Sequence, residues 1–275
     1  MTDFISSRDN PLFRELRALQ ATGSKGQKAR LSSGRVLLEG IHLMQAWLAD
    51  PALGVLITSD LGMANPEIDA LVRQHCNACP ETRVIHMDAG LWGELSELAN
   101  APQIAGLLSL PDASVDAKLS LAKPLSGDVL VLDRIQDAGN VGAILRTAAA
   151  AGFTDVVAIT GCAHLWSGKV LRAGMGAHRL LRLHEGWTAE QALESIAVPF
   201  FLASADGKQS LYSIGSQLRE PVAWVFGSEG QGVGHSFLMQ GEAVSIPMDP
   251  QVESLNVATA AAICLFETVR VRRTG

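Results

Sequence analysis

The stretch VLVLDRIQDAGNVGAILRTAAAAG, residues 129–152, decides the fold. It begins with the run VLVLD, which predicts a buried strand, and it ends with an alanine-rich segment that predicts a helix. The turn between them is rich in Asp, Gly and Asn, and Asn140 and Arg146 stand at the mouth of the otherwise plain helix. Since packing requires neither side chain, both are candidate functional residues.

The same alternation of strand, turn and helix continues over residues 128–275. The predicted strands are VLVLDR, DVVAIT, HRLLRLH (178–184), PFFLASA, PVAWVFG and AVSIPM. Helices are predicted at 140–151, 167–177, 188–197, around 234–240 and from 254 to about 270. This alternation predicts a parallel sheet covered on both faces, with ligands bound at the carboxyl ends of its strands.

A shorter α/β series precedes it. After a basic N-terminal helix, residues 34–111 alternate between strands such as GVLITSD and helices such as PEIDALVRQHC. Residues 112–127 lose this periodicity and suit a linker. The sequence therefore predicts an α/β protein with a domain at 1–111, a linker at 112–127 and a second domain at 128–275.

The distribution of charge favours a polyanionic partner. The net charge is −6, yet residues 8–35 carry seven basic and two acidic side chains, and residues 161–182 carry four basic and no acidic ones. Clusters of this kind in an acidic protein point towards a polyanion. The candidate contacts for it are Arg8, Arg14, Lys25, Lys28, Arg30, Lys169 and Arg172.

Other classes of protein fit the composition less well. No apolar run reaches the roughly 18 residues of a membrane span, and the N-terminus lacks a signal-peptide core, so we expect a cytoplasmic protein. The seven histidines and four cysteines, including CNAC at 76–79, lack the spacing of a metal site, and no metal is expected.

Three segments of the second domain combine a strand, a polar turn and a helix: 129–152, VAWVFGSEGQGVG at 222–234, and VSIPMDPQVESLNVATAAA at 244–262. In a parallel sheet their turns lie at one edge and can surround one pocket, where glycines let the backbone approach a ligand. The second segment lacks the Gly-Lys-Ser/Thr of a P-loop and the spacing of a dinucleotide fingerprint.

These motifs resemble the SpoU (TrmH-like) branch of the SPOUT RNA methyltransferases. The family's first motif stands here as Asn140 and Arg146, its second as 227–232 (GSEGQG), and its third as IPM (246–248) followed by SLNV (254–257). The N-terminal part is similar to the family's ribosomal-protein-like RNA-binding domain. Together they match the rRNA-type members better than the shorter tRNA-type members.

The resemblance implies transfer of a methyl group from S-adenosylmethionine to a ribose 2′-hydroxyl of structured RNA. It also implies a deep trefoil knot within about 222–262 and a homodimer with its active site near the subunit interface. The implied cofactor contacts are Gly227, Ser228, Gly230, Ile246, Pro247, Met248 and Leu255.

The resemblance also suggests roles for five catalytic candidates. A guanidinium hardly deprotonates, so we interpret Arg146 as stabilising the forming oxyanion or gripping the adjacent phosphate. Asn140 would orient that arginine or the RNA, and Glu229 would fix the arginine or accept the proton. Ser254 and Asn256 would shape the site.

Some positions depart from the family pattern. Pro250 replaces a frequent Gly, and Ala138, Gly174 and Ala258 replace other frequent residues, whereas the five catalytic candidates are all present. Three alternatives stay open: a tRNA 2′-O-methyltransferase, a catalytically silent RNA-binding homologue, and a nicotinamide-dependent enzyme.

Overall fold

The computed structural model describes residues 3–96, 102–110 and 123–274, which form two compact units. The first unit contains the described residues up to 110 together with Trp166–Arg179, and the second contains 123–165 and the residues from Leu180 on. Most of the predicted linker, residues 112–122, lies outside the described residues. Of its remainder, Leu125 forms a parallel bridge with Ile196.

The elements are numbered in chain order. The strands are β1 (Asp3–Ile5), β2 (Arg35–Glu39), β3 (Leu53–Thr58), β4 (Arg83–Met87), β5 (Ile104–Ser109), β6 (Val129–Asp133), β7 (Asp155–Ile159), β8 (Arg182–Trp187), β9 (Phe200–Ala203), β10 (Gln209–Ser210), β11 (Ala223–Gly227) and β12 (Glu242–Ser245). The helices are α1 (Pro11–Gln20), α2 (Gly23–Ser33), α3 (Ile41–Ala46), α4 (Asp60–Met63), α5 (Pro66–Ala78), α6 (Ala89–Leu95), α7 (Ala138–Ala151), α8 (Gly168–Gly174), α9 (Ala189–Ser195), α10 (His235–Leu238) and α11 (Val257–Arg273). None of the helices in the described part of the chain has the length and apolarity that a bilayer crossing requires.

The first unit is built on a mixed sheet of order β1-β4-β3-β5-β2, in which β5 runs antiparallel to both of its neighbours. Helix α8 belongs to this unit although it follows β7 in the chain. Leu171 of α8 is 1% exposed in the apolar cluster that contains Val36 and Leu38. Arg172 Nη1 lies 3.7 Å from Glu39 Oε2, so one buried face of α8 is both apolar and charged.

The second unit is an entirely parallel sheet of order β10-β12-β9-β11-β6-β7-β8. Its central strands are buried on both faces, as the continuous apolar runs predict. The predicted α/β class with a parallel sheet is therefore confirmed. Because all strands run the same way, their carboxyl ends share one edge.

Several boundaries differ from the sequence prediction. The strand expected at 178–184 lies at Arg182–Trp187, because Ala177–Leu180 form a 3-10 turn that buries His178. The last helix begins at Val257 and not at 254, because the Asn256 side chain accepts hydrogen bonds from the amides of Ala258 and Thr259 and so caps the helix. The short strands β1 and β10 were not predicted.

Candidate active site

Three polar segments meet at the carboxyl edge of the parallel sheet. Asn140 Nδ2, in the first turn of α7, donates to Glu229 Oε1 at 2.6 Å. Asn256 Nδ2 donates to Asn140 Oδ1 at 3.1 Å. One side chain thus joins the turn after β11 to the residue that caps α11, and the three sequence motifs are adjacent in space.

Local structure fixes the two asparagines. Asp137 caps α7 by accepting a hydrogen bond from the Asn140 amide at 2.8 Å, which holds the start of the helix. Asn256 Oδ1 accepts from the backbone of α11, at 2.9 Å from the Ala258 amide. The Nδ2 group of Asn256 is therefore directed away from its helix and towards Asn140.

A pocket of about 590 Å³ opens at the same edge, between the ends of β9, β11 and β12 and the start of α11. Eight of the predicted site residues line it: Gly227, Ser228, Glu229, Ile246, Met248, Ser254, Leu255 and Asn256. Gly230 and Pro247 are in the same loops, exposed, and are not among the lining residues. The charged side chains among the described lining residues, Asp206 and Glu229, are both acidic.

One wall of this pocket was not predicted from the sequence. Residues 203–206 (ASAD), at the end of β9 and in the turn after it, line the pocket, although no motif marks them. The topology of the sheet could have predicted this wall. Because β9 is a predicted strand of the same parallel sheet, the turn after it must lie at the same edge as the other turns.

The turn after β11 folds back on itself so closely that it requires glycine at its start. A Cβ atom on Gly227 would lie 2.1 Å from the Gly232 carbonyl carbon, and Ser228 and Gly232 form a bridge. Gly232 itself has a φ of 62°, which favours glycine. The close approach at Gly227 and the positive φ of Gly232 therefore explain why glycine stands at these two positions.

Arg146 is not part of the cluster around Asn140. It is exposed and lies six residues further along α7, about 9 Å along the helix axis. No hydrogen bond or ion pair joins it to any other residue that the structure describes. The structure thus brings four of the five catalytic candidates to one place, the pocket edge, and leaves Arg146 apart.

The predicted RNA contacts lie in the first unit. Lys25, Lys28 and Lys169 are exposed, Arg8 pairs with Glu94 and Arg14 pairs with Asp9, both at the surface, and Arg172 faces Glu39.

The prediction that Arg30 contacts RNA is wrong. It is 4% exposed, and its Nη1 donates to the Leu19 carbonyl oxygen at 2.6 Å. Because its guanidinium is used to hold the end of α1, Arg30 is a structural residue and not a surface contact for RNA.

The described residues contain no group of three His, Cys, Asp or Glu side chains arranged to hold a metal ion. All four cysteines are free thiols. Burial raises the pKa of the Cys162 thiol, near the end of β6, to about 11. That thiol is therefore protonated at neutral pH and is no nucleophile.

The chain is similar in sequence to known RNA methyltransferases. The family described as "SpoU rRNA Methylase family" matches residues 128–266. A protein of Synechocystis sp. named "uncharacterized tRNA/rRNA methyltransferase" is 33% identical over 97% of this chain and 93% of its own. The 23S rRNA (adenosine(1067)-2′-O)-methyltransferase of Streptomyces laurentii is 32% identical over 68% of this chain and 70% of its own.

Among solved structures, the SpoU methyltransferase AviRb from Streptomyces viridochromogenes, in complex with AdoMet, is similar in fold. It has a TM-score of 0.79 at 20% identity and covers 97% of this chain and 100% of that chain. At this identity the likeness concerns the fold.

Proposed function

The chain belongs to the SpoU rRNA methylase family, and from that premise we propose that it transfers a methyl group from S-adenosylmethionine to a ribose 2′-hydroxyl of ribosomal RNA, with 23S rRNA as the first candidate. The main support for the proposal is that the Asn140 side chain forms hydrogen bonds with both Glu229 and Asn256 at the edge of the pocket. A polar cluster next to a cavity at the carboxyl edge of a parallel sheet suits catalysis on a bound ligand.

The residues of the pocket fit the cofactor. A volume of about 590 Å³ lies within the ordinary range for small-molecule sites. S-adenosylmethionine supplies a methyl group on a positively charged sulfur, and the two acidic lining residues, Asp206 and Glu229, suit a ligand with cationic groups. In the proposal the lining residues Gly227, Ser228, Ile246, Met248 and Leu255 hold it, and Gly230 and Pro247 shape the two loops.

The protein's own groups would prepare the ribose hydroxyl, which is a poor nucleophile. Asn140 holds Glu229 Oε1, which leaves Oε2 to take the hydroxyl proton. Arg146 supplies a guanidinium cation, which in the proposal stabilises the developing negative charge or binds the adjacent phosphate. Ser254 and Asn256 fix the wall of the site on the side of α11.

We further propose a homodimer. Arg146 is exposed on α7, and Phe266, on the neighbouring helix α11, is 48% exposed. A second copy covering these helices would bury an aromatic side chain and bring the subunit boundary close to Arg146. The expected trefoil knot over about 222–262 is part of the same proposal, as is a cytoplasmic location alongside the ribosomal RNA.

RNA binding is proposed for the first unit. A surface groove of about 490 Å³ is lined by Arg14, Arg17 and Lys25, with Glu94 as its one acidic lining residue among those described. Cations on a groove of this kind attract a phosphate backbone and position it without reading its sequence.

The test is transfer of labelled methyl groups from S-adenosylmethionine to unmodified RNA, separated into ribosomal and transfer fractions. Asn140→Ala and Arg146→Ala serve as comparison variants. We expect label in the ribosomal fraction, recovered as 2′-O-methylated nucleoside and lost with either variant. Label in transfer RNA would favour a tRNA enzyme. Binding of cofactor and RNA without transfer would favour a silent RNA-binding homologue.

A further inference from the structure

An ion pair between Asp133 and Arg134, at the end of β6, contacts the pocket loop, residues 228–234. Asp133 ends β6 and is 2% exposed. Arg134 follows it and donates to both carboxylate oxygens, from Nε to Oδ1 at 2.8 Å and from Nη2 to Oδ2 at 3.0 Å. These hydrogen bonds raise the pKa of Arg134, so its guanidinium remains positively charged.

The same two side chains reach the second half of the pocket loop. Arg134 Nη1 donates to Gln231 Oε1 at 2.8 Å, and Nη2 lies 3.4 Å from the Gly232 carbonyl oxygen. Asp133 Oδ2 accepts from the Gly234 amide at 2.6 Å. With Asn140 on Glu229, the loop is therefore held at both ends of its turn.

Arg134 adopts a backbone conformation that residues other than glycine seldom adopt. Its φ is 60°, in the left-handed region. Such a conformation persists where the surrounding contacts determine it, and strained residues cluster beside functional sites. In this backbone conformation the Arg134 guanidinium contacts both Asp133 and Gln231.

We propose that Arg134 is a positioning residue for the methyltransferase site, holding the pocket loop in the conformation that binds the cofactor. The inference rests on the proposed function. Arg134 itself is not among the residues that line the pocket. It acts through the loop, because Ser228 and Glu229 lie in the same turn as Gln231 and Gly232 and line the pocket.

A second ion pair between an arginine and a buried aspartate, Arg182 with Asp155, provides a matched control for the removal of Arg134. Arg182 Nε donates to Asp155 Oδ1 at 2.8 Å, and the Asp155 side chain is 4% exposed. Asp155 and Arg182 begin β7 and β8, so they lie at the amino edge of the sheet, opposite the pocket. Arg182→Ala therefore removes a similar ion pair without touching the pocket loop.

The experiment compares Arg134→Ala, Arg134→Gly and Arg182→Ala with the wild-type protein. If the freed loop is competent a tenth of the time, the Kd for S-adenosylmethionine rises about tenfold in both Arg134 variants. The KM for the cofactor should rise more than kcat falls. Arg182→Ala should lower the thermal midpoint with an unchanged Kd. Arg134→Gly relieves the strained φ, so its thermal midpoint should lie above that of Arg134→Ala.

Hydrogen exchange of the unliganded protein tests the loop separately. The Gly232 amide, bonded to the Ser228 carbonyl oxygen at 2.8 Å, and the Gly234 amide should exchange faster in both Arg134 variants and not in Arg182→Ala. Unchanged exchange, or an unchanged Kd in Arg134→Gly, overturns the inference while leaving the proposed function intact. A wild-type protein that binds no cofactor overturns the proposed function, and the exchange rates then still decide whether Arg134 holds the loop.

Discussion

Asn256 donates a hydrogen bond to Asn140 across 3.1 Å, and this contact determines which way the Asn140 amide faces. Asn256 Oδ1 is occupied by the first amides of α11, so the group that reaches Asn140 must be the donor Nδ2. Asn140 meets it with Oδ1 and turns its own Nδ2 to Glu229. The cap of one helix thus orients a carboxylate on another segment.

Asn256→Asp should separate the two roles of Asn256. The carboxylate still caps α11, so we expect a free energy of unfolding within about 0.5 kcal/mol of wild type. Its second oxygen faces Asn140 Oδ1 without a proton to donate, so the Asn140–Glu229 contact should weaken and kcat should fall. Asn256→Ala, as the comparison, should lose about 1 kcal/mol of stability as well. Full activity in Asn256→Asp would contradict the relay.

Arg146→Ala should lower kcat without changing cofactor binding. Arg146 contributes charge to the transition state in our proposal, and removal of such a group costs about 10²–10³-fold in kcat. The residue is exposed, so its loss should leave the thermal midpoint in place. Single-turnover kinetics together with calorimetric titration of S-adenosylmethionine would measure both quantities. A weaker cofactor Kd with normal single-turnover rates would contradict this role.

Gly227→Ala should disturb the pocket from within the backbone. The new Cβ would lie 2.1 Å from the Gly232 carbonyl carbon, so the turn must open. Overpacking of this kind costs about 1–3 kcal/mol, and the Kd for the cofactor should rise with it. Gly127→Ala is the control, since a Cβ there meets no atom within 4 Å. Equal behaviour of the two variants in chemical denaturation would argue against the close contact.

The basic residues of α2 should divide into two classes. Lys28 is exposed, so Lys28→Ala should weaken RNA binding and reduce the slope of log K against log salt by about 1, with unchanged stability. Arg30→Ala should instead lower stability by about 1–3 kcal/mol, because the buried Leu19 carbonyl oxygen loses its donor. Filter binding at several salt concentrations and thermal unfolding would test both. A salt slope unaffected by Lys28→Ala would remove that lysine from the interface.

Asp155 should make the stability of the second unit sensitive to acid. Burial by itself would raise the pKa of Asp155, but hydrogen bonds from His184 and Arg182 outweigh it and lower the pKa to about 2. A lowered pKa stabilises the fold above the ordinary value near 4, and the stabilisation is lost as the pH falls through 2.

Asp155→Asn should therefore cost about 2 kcal/mol at pH 7 in urea unfolding. The difference from wild type should shrink as the pH falls below about 4. Glu194→Gln, at an exposed carboxylate, should not change the curve. A constant difference across this pH range would contradict the lowered pKa.

Much of the second unit could be predicted because its signals are local. Apolar runs such as VLVLD specify strands buried on both faces, and parallel strands bring their turns to one edge. The meeting of Asn140, Glu229 and Asn256 follows from that rule in outline, but the direction of each amide depends on caps that the pattern does not encode.

The remaining differences arise from tertiary contacts. Arg30 has the same charge as its exposed neighbours, and only the packing of α2 against α1 decides that it is buried. The wall at 203–206 lies at the end of β9 and in the turn after it, where no sequence motif marks the residues. Arg134 looks like an ordinary surface arginine in the sequence, because nothing in the sequence indicates its φ of 60°.

Because α8 belongs to the first unit, the two units of this protein cannot be separated by a single cut in the chain. A fragment starting near residue 123 would carry Trp166–Arg179 without the strands against which Leu171 packs. It would expose apolar surface and separate Arg172 from Glu39. An exchange of the first unit between two family members would therefore have to exchange residues 166–179 as well. The first unit is therefore encoded by two separate stretches of the gene.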